Sequence, residues 1–139
     1  KGKDTVGHYL LLATIRPEEP ESLAVRRQVT EILEADDSFL EPSISRALLF
    51  YDPICDFFTV GGSWSGYLVG RDSRSDNDLG EEYDTQPVTE EIYDTFLAPY
   101  EGEIVAYEDD ALAFVDLDQE EVSRDFIGTR WVVVIDYHR

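Results

Sequence analysis

Two stretches of the chain are apolar at nearly every position rather than at alternate ones. Gly7 to Ile15 (GHYLLLATI) and Arg130 to Tyr137 (RWVVVIDY) are runs of branched and aromatic residues, each closed by a polar or breaking residue. Both predict buried strands, the second central in its sheet. Glu21 to Ala35 has a different period: Val25, Val29, Ile32 and Leu33 fall on one face, with Arg26, Arg27, Glu31 and Glu34 turned outward. That spacing predicts an amphipathic helix lying on a sheet. Asp36-Asp37 and Pro42 break it, and Ser45 to Tyr51 (SRALLFY) predicts another strand, ended by Asp52-Pro53.

Asp56 to Gly70 (DFFTVGGSWSGYLVG) mixes aromatic and branched residues with glycines, predicting two strand pieces joined by a Gly61-Gly62 turn or bulge. Residues 71–86 (RDSRSDNDLGEEYDTQ) have no apolar period and predict an exposed acidic loop. A second helix is expected from Pro87 to Ala98, with Pro87 in its first turn, an apolar stripe of Val88, Ile92 and Phe96 joined by Tyr93 and Leu97, and Glu90, Glu91 and Asp94 outside. Pro99 stops it. Glu103 to Tyr107 and Ala111 to Leu117 supply further strands.

The order of strand, helix, strands, helix, strands predicts an α+β fold: one domain, residues 1–139, with a mainly antiparallel sheet and two helices on one face. A ferredoxin-like arrangement is the simplest instance. The length suits one core without covalent staples.

Charge changes this picture. The net charge is −20, and residues 72–110 alone hold −13, from fourteen carboxylates and the single base Arg74. With 42% hydrophobic and 12% aromatic residues the acidity belongs to a folded protein, not to a disordered acidic tail. Such a surface repels nucleic acid and anionic membranes and attracts basic surfaces. Bases are nearly all Arg, with Lys only at positions 1 and 3, a composition that salt adaptation also produces. A lone Cys55 excludes an intrachain disulfide. No apolar run reaches membrane-spanning length and no signal-peptide pattern opens the chain, so a cytoplasmic protein is expected.

Signals for catalysis are weak by comparison. Cys55 would need His8 or His138 beside it to act as a nucleophile. Gly61-Gly62 lacks the Lys of a P-loop and the third glycine of a dinucleotide fingerprint. Phe57, Phe58, Trp64 and Tyr67 resemble a base-stacking set without the basic groove it needs. An EF-hand frame begun at Asp76 puts Gly80 one position early and Pro87 where the bidentate Glu belongs. The expectation is therefore no enzyme, no metal and no cofactor, with a small cation-binding protein or enzyme as an alternative.

The carboxylates allow a sharper reading. Duplex DNA presents a negative charge about every 1.7 Å of its axis, and a protein imitating it needs carboxylates of similar density on rigid elements. Asp72, Asp76, Asp78, Glu81, Glu82 and Asp84 precede the second helix; Glu90, Glu91 and Asp94 lie on it; Glu101, Glu103, Glu108, Asp109 and Asp110 follow. These are the expected partner-binding residues, docking by electrostatic steering into the Lys/Arg-lined cleft of a nuclease, repressor or CRISPR effector. The alternative is a generic acidic interaction domain of a salt-adapted organism or virus.

Asp56-Phe57-Phe58-Thr59-Val60-Gly61-Gly62-Ser63-Trp64-Ser65-Gly66 resembles a motif of small phage and actinobacterial proteins: Asp-Trp-Tyr, two residues, Gly-Gly-Arg-Trp, Ser or Thr, Gly. Phe57 and Phe58 stand for Trp and Tyr, and Ser63 for the Arg. The resemblance covers about a dozen positions and implies a phage or mobile-element context. Small acidic proteins that block host defence, including anti-CRISPR and anti-restriction proteins, are a known class there, and would act in the host cytoplasm.

Overall fold

The structure, a computed structural model, describes residues 8–35, 57–70 and 81–138. Its frame is a six-stranded mixed sheet. In chain order the elements are β1 (His8–Ile15), α1 (Ser22–Ala35), β2 (Phe57–Val60), β3 (Thr85–Pro87), α2 (Glu90–Ile92), β4 (Glu103–Glu108), β5 (Ala113–Asp116) and β6 (Trp131–His138). Past Ile92, α2 continues as a π-wound segment, Tyr93–Leu97. Short 3-10 turns fill the connections at Gly62–Trp64, Tyr67–Val69, Glu81–Asp84, Gln119–Glu121 and Arg124–Phe126.

The order across the sheet is β2-β6-β1-β4-β5, with β3 also on β6. Among the described residues only β1 and β4 run parallel; the other pairs are antiparallel. Strand β6 is central, as its apolar run predicts. It pairs along its whole length with β1, from His8 opposite His138 to Ile15 opposite Trp131. On its other side β2 and β3 share it: Val60 lies opposite Ile135 and Thr85 opposite Val133, while the Gly61 N–H donates to Val134 O at 2.8 Å. The two short strands thus form one edge strand, interrupted between Gly61 and Thr85.

The two helices do not share a face. Leu11, Ala13 and Ile15 of β1 and Val133, Ile135 and Tyr137 of β6 pack with Val25, Val29 and Leu33 of α1. The alternate residues, Leu10, Leu12, Val132 and Val134, pack with Ile92, Tyr93 and Leu97, and with Leu68, Val88, Val122 and Phe126. This corrects the expectation of two helices on one face, and with it the ferredoxin-like arrangement. The cause lies in β1 and β6 themselves: side chains alternate across a sheet, so a run that is apolar at consecutive positions needs cover on both sides.

Other boundaries also move. Pro87 is the last residue of β3, opposite Trp131, and not the first turn of a helix. An edge strand tolerates its missing N–H. Thr89 is the N-cap instead, its Oγ1 accepting from the Ile92 N–H at 3.1 Å. The second half of the Asp56–Gly70 segment forms 3-10 turns, not a strand, because Gly61, Gly62 and Gly66 at φ 80°, 52° and 90° take the chain off the sheet edge. Of the predicted acidic loop, Glu81–Asp84 is a turn and Thr85-Gln86 belongs to β3. The predicted strand at Ser45 to Tyr51 and Cys55 lie outside the described residues. No helix among the described residues is long and apolar enough to cross a membrane.

Leu33 and Leu97 are both fully buried, one on each side of the sheet. Leu33→Ala and Leu97→Ala are each expected to cost about 2–5 kcal/mol in urea unfolding. Because the sheet separates them, the double substitution should be additive to within about 0.5 kcal/mol. A coupling above about 1 kcal/mol would mean that the two helices share a core.

Candidate acidic interface

Helix 90–97 presents the expected carboxylates. With Ile92, Tyr93 and Leu97 buried, Glu90, Glu91 and Asp94 are left exposed on the outside. The segment is held from beneath: Tyr93 Oη donates to Val122 O at 3.2 Å, and Tyr67 Oη to Phe96 O at 3.2 Å. Tyr100 Oη donates to Leu10 O at 2.8 Å, fixing the exit of the helix to β1. Burial raises the Tyr67 and Tyr100 phenols above their ordinary range; for Tyr100 the charges of Tyr67 and Glu103 add to the effect.

The tertiary fold adds four carboxylates that lie outside the charge-dense segment. Residues 118–126 pack against the helix through Val122 and Phe126, and Asp118, Glu120, Glu121 and Asp125 are exposed on them. Arg124 joins the two elements, donating to Asp94 Oδ1 at 3.0 Å and Glu90 Oε2 at 3.2 Å, with its guanidinium 5.4 Å from the centre of the Tyr93 ring. All three charged groups are at least half exposed, so the pairs hold geometry more than they add stability. The signal for this segment was local: Asp118 and Glu121 have capping-box spacing, and the Asp118 N–H donates to Glu121 Oε1 at 2.8 Å. What the sequence did not indicate was its neighbour.

The remaining expected residues divide. Glu101, Asp109 and Asp110 are exposed, the last two in the β4–β5 turn. Glu103 and Glu108 are half-buried on β4, and Glu103 accepts a hydrogen bond from Tyr137 Oη. Glu81 and Glu82 open the turn Glu81–Asp84. Asp72, Asp76 and Asp78 lie outside the described residues. Asp84 is a correction: only 5% exposed, it accepts from the Gly66 N–H at 3.0 Å and Ser65 Oγ at 3.1 Å, so it is not part of an outer acidic face.

Asp84 has a counterpart in Asp136 of β6, 4% exposed, which accepts from the Ser63 N–H at 2.7 Å and lies 3.0 Å from His8 Nδ1. These two buried carboxylates bracket the Gly61-Gly62 turn. A Cβ on Gly61 would come within 2.3 Å of Asp84 Oδ2, and one on Gly62 within 2.4 Å of Asp136 Oδ2. Polar groups buried this way need partners, and the turn's own N–H groups supply them. The glycine pair is thus explained by anchoring. Among the described residues no three His, Cys, Asp or Glu side chains converge to hold a metal ion.

Compared with models of known families, with curated proteins and with solved structures, the chain matches none of them.

Asp116, on the edge strand β5, reports the local charge. Burial, then the negative charges of Asp118 and Glu121, raise its carboxyl above the ordinary value, against a lowering by the Leu117 N–H. Between the ordinary and the raised value the folded state binds more protons than the unfolded chain. Stability from this group therefore falls as pH rises through that window and stays lost above it. Asp116→Asn should raise the melting temperature near pH 7 and change it little near pH 3. An unchanged melt at neutral pH would remove the proposed crowding. Gly61→Ala and Gly62→Ala should each cost more than about 1 kcal/mol by denaturant titration, from positive φ and the carboxylate contact together; a neutral effect would show that the turn is not pinned.

Proposed function

We propose that the protein is a non-enzymatic inhibitor that imitates the nucleic-acid backbone and occludes the binding site of a basic, nucleic-acid-binding host protein. The observation that carries this reading is the fixed acidic array of Glu90, Glu91 and Asp94 with Asp118, Glu120, Glu121 and Asp125, built from two elements that share one core. Imitation of a phosphate track requires carboxylates held in place, because charges on loose chain pay an ordering cost on docking that cancels much of the attraction. The resemblance of the glycine motif to phage proteins supports an anti-defence setting, with a CRISPR effector or restriction nuclease as the class of target. Salt adaptation explains acidity in general, but it does not require carboxylates to be gathered on anchored elements.

Arg124 gives this reading a test whose sign is unusual. It offsets one of the two negative charges of Glu90 and Asp94 in the free protein, and a basic partner would have to compete with it. Arg124→Ala should therefore tighten the complex by roughly 2–10-fold, while Glu90, Glu91 and Asp94 changed together to Lys should weaken it by more than about 100-fold. The partner is first captured from the natural host with the tagged protein, and added duplex DNA should release it. Affinity should fall steeply with salt, roughly 10³-fold or more between about 50 and 200 mM. Tight binding that ignores salt, DNA and these substitutions would overturn the proposal, whereas folding that itself needs molar salt would favour the salt-adapted interaction domain.

A further inference from the structure

Both histidines of the chain occupy one cross-strand position. His8 opens β1 and His138 closes β6, and the ladder sets them opposite each other. Their rings meet edge to face, with centres 4.9 Å apart and planes inclined at 65°. They stand on the sheet face of Leu10, Leu12, Val132 and Val134, because side chains two apart along a strand share a face. Neither is sealed from solvent: His8 keeps 26% of its side-chain surface exposed, and His138 is half-buried. One residue along each strand, Tyr9 and Tyr137 pair on the other face with ring centres 5.5 Å apart. An ordinary aromatic pair therefore serves for packing at this end of the sheet. The histidine pair differs in carrying nitrogen donors.

Asp136 gives that difference a direction. It stands on the same face, two residues before His138, and its buried carboxylate lies 3.0 Å from His8 Nδ1 through Oδ1 and 3.2 Å through Oδ2. The Ser63 N–H, donating to Oδ2 at 2.7 Å, holds the carboxylate from another side. A carboxylate only accepts, so the His8 ring carries its hydrogen on Nδ1 and its lone pair on Nε2. A carboxylate behind one imidazole nitrogen, leaving the other as the basic one, is the support that metal-ligating histidines have. The spacing of the rings agrees with this. Two imidazoles held at about 2.0–2.1 Å on one tetrahedral ion have their ring centres about 5 Å apart.

The donor type chooses the ion. Calcium and magnesium ask for several oxygens, whereas imidazole nitrogens suit zinc, nickel and copper. We propose that His8 and His138 bind one divalent ion of this class, through Nε2 of His8 and a ring nitrogen of His138, with Asp136 as the positioning residue that fixes the His8 tautomer. Two protein nitrogens leave the other coordination positions to water, so the site is open and binds more weakly than a closed four-ligand structural site. The ion ties the start of β1 to the end of β6, and its binding therefore stabilises the folded chain. The pair shares no residue with the acidic array, so either proposal can fail alone.

The test is a titration of the full chain, without a histidine tag, with zinc chloride in calorimetry, in about 10 mM magnesium chloride to occupy the surface carboxylates. One saturable site is expected, with a rise in melting temperature. His8→Gln and His138→Gln, each checked for folding by circular dichroism, should each weaken binding at least about tenfold. Asp136→Asn should weaken it by about 10–100-fold, and the ring nitrogen shifts of His8 in NMR should show the hydrogen on Nδ1 in the parent and zinc acting on Nε2. Copper in place of zinc should give an electron spin resonance spectrum split by two imidazole nitrogens. Cys55→Ser should bind as the parent does. No saturable zinc binding up to about 1 mM, parental affinity in either histidine variant, or loss of binding in Cys55→Ser would overturn the site. Parental affinity in Asp136→Asn, or a hydrogen on Nε2 of His8, would overturn the role given to the carboxylate.

Discussion

Strand β6 has to be satisfied on four sides at once, two edges and two faces, and the rest of the molecule is arranged around that demand. Its backbone is hydrogen-bonded to β1 along one edge and to β2 and β3 along the other, and its side chains from Val132 to Tyr137 are buried on alternating faces. Neither helix alone can cover such a strand. One face takes α1, and the other takes helix 90–97 with the turns around Leu68 and Val122. Asp136 is the polar exception within this run, and it is accommodated because Ser63 and His8 come to it.

Carboxylates consequently do two kinds of work here. Asp84 and Asp136 are structural: buried, oriented by backbone N–H groups, and so close to Gly61 and Gly62 that no larger residue fits there. Glu90, Glu91, Asp94 and the 118–125 group are peripheral, but they stand on elements whose inner sides are part of the core. The same core that covers β6 therefore fixes the spacing of the outer charges. Electrostatic steering needs only net charge, whereas recognition of a shaped basic cleft needs this fixed spacing.

What could be read from the sequence followed from the strength of its local patterns. β1, α1 and β6 are found where continuous or helical apolar periodicity places them, and Glu90, Glu91 and Asp94 face outward as the stripe through Ile92 and Tyr93 requires. Errors arose where one residue type serves two structures. Pro87 suits a helix start or an edge strand equally well, and only the pairing with Trp131 decides. Asp84 looked like one more surface acid because its partners, Ser65 and Gly66, are distant in the chain. The placement of Asp118 to Asp125 beside helix 90–97 depends on Arg124 and Val122 meeting partners some thirty residues away, which no local period records. The placement of the two helices on opposite faces follows from apolar residues at consecutive positions of β1 and β6, a signal that is present in the sequence.

The divided edge strand has a consequence for how this fold tolerates change in length. Since Gly61 and Thr85 occupy successive places along β6, the chain leaves and rejoins the sheet at one point, and the ladder is indifferent to how many residues lie between. The excursion nevertheless is not a free appendage, for it returns Leu68 to the core and Tyr67 to the helix carrying the acidic residues. It is a graft with two roots. The Gly61 to Gly70 portion is thereby tied to the acidic helix it supports, so a change in one is felt by the other.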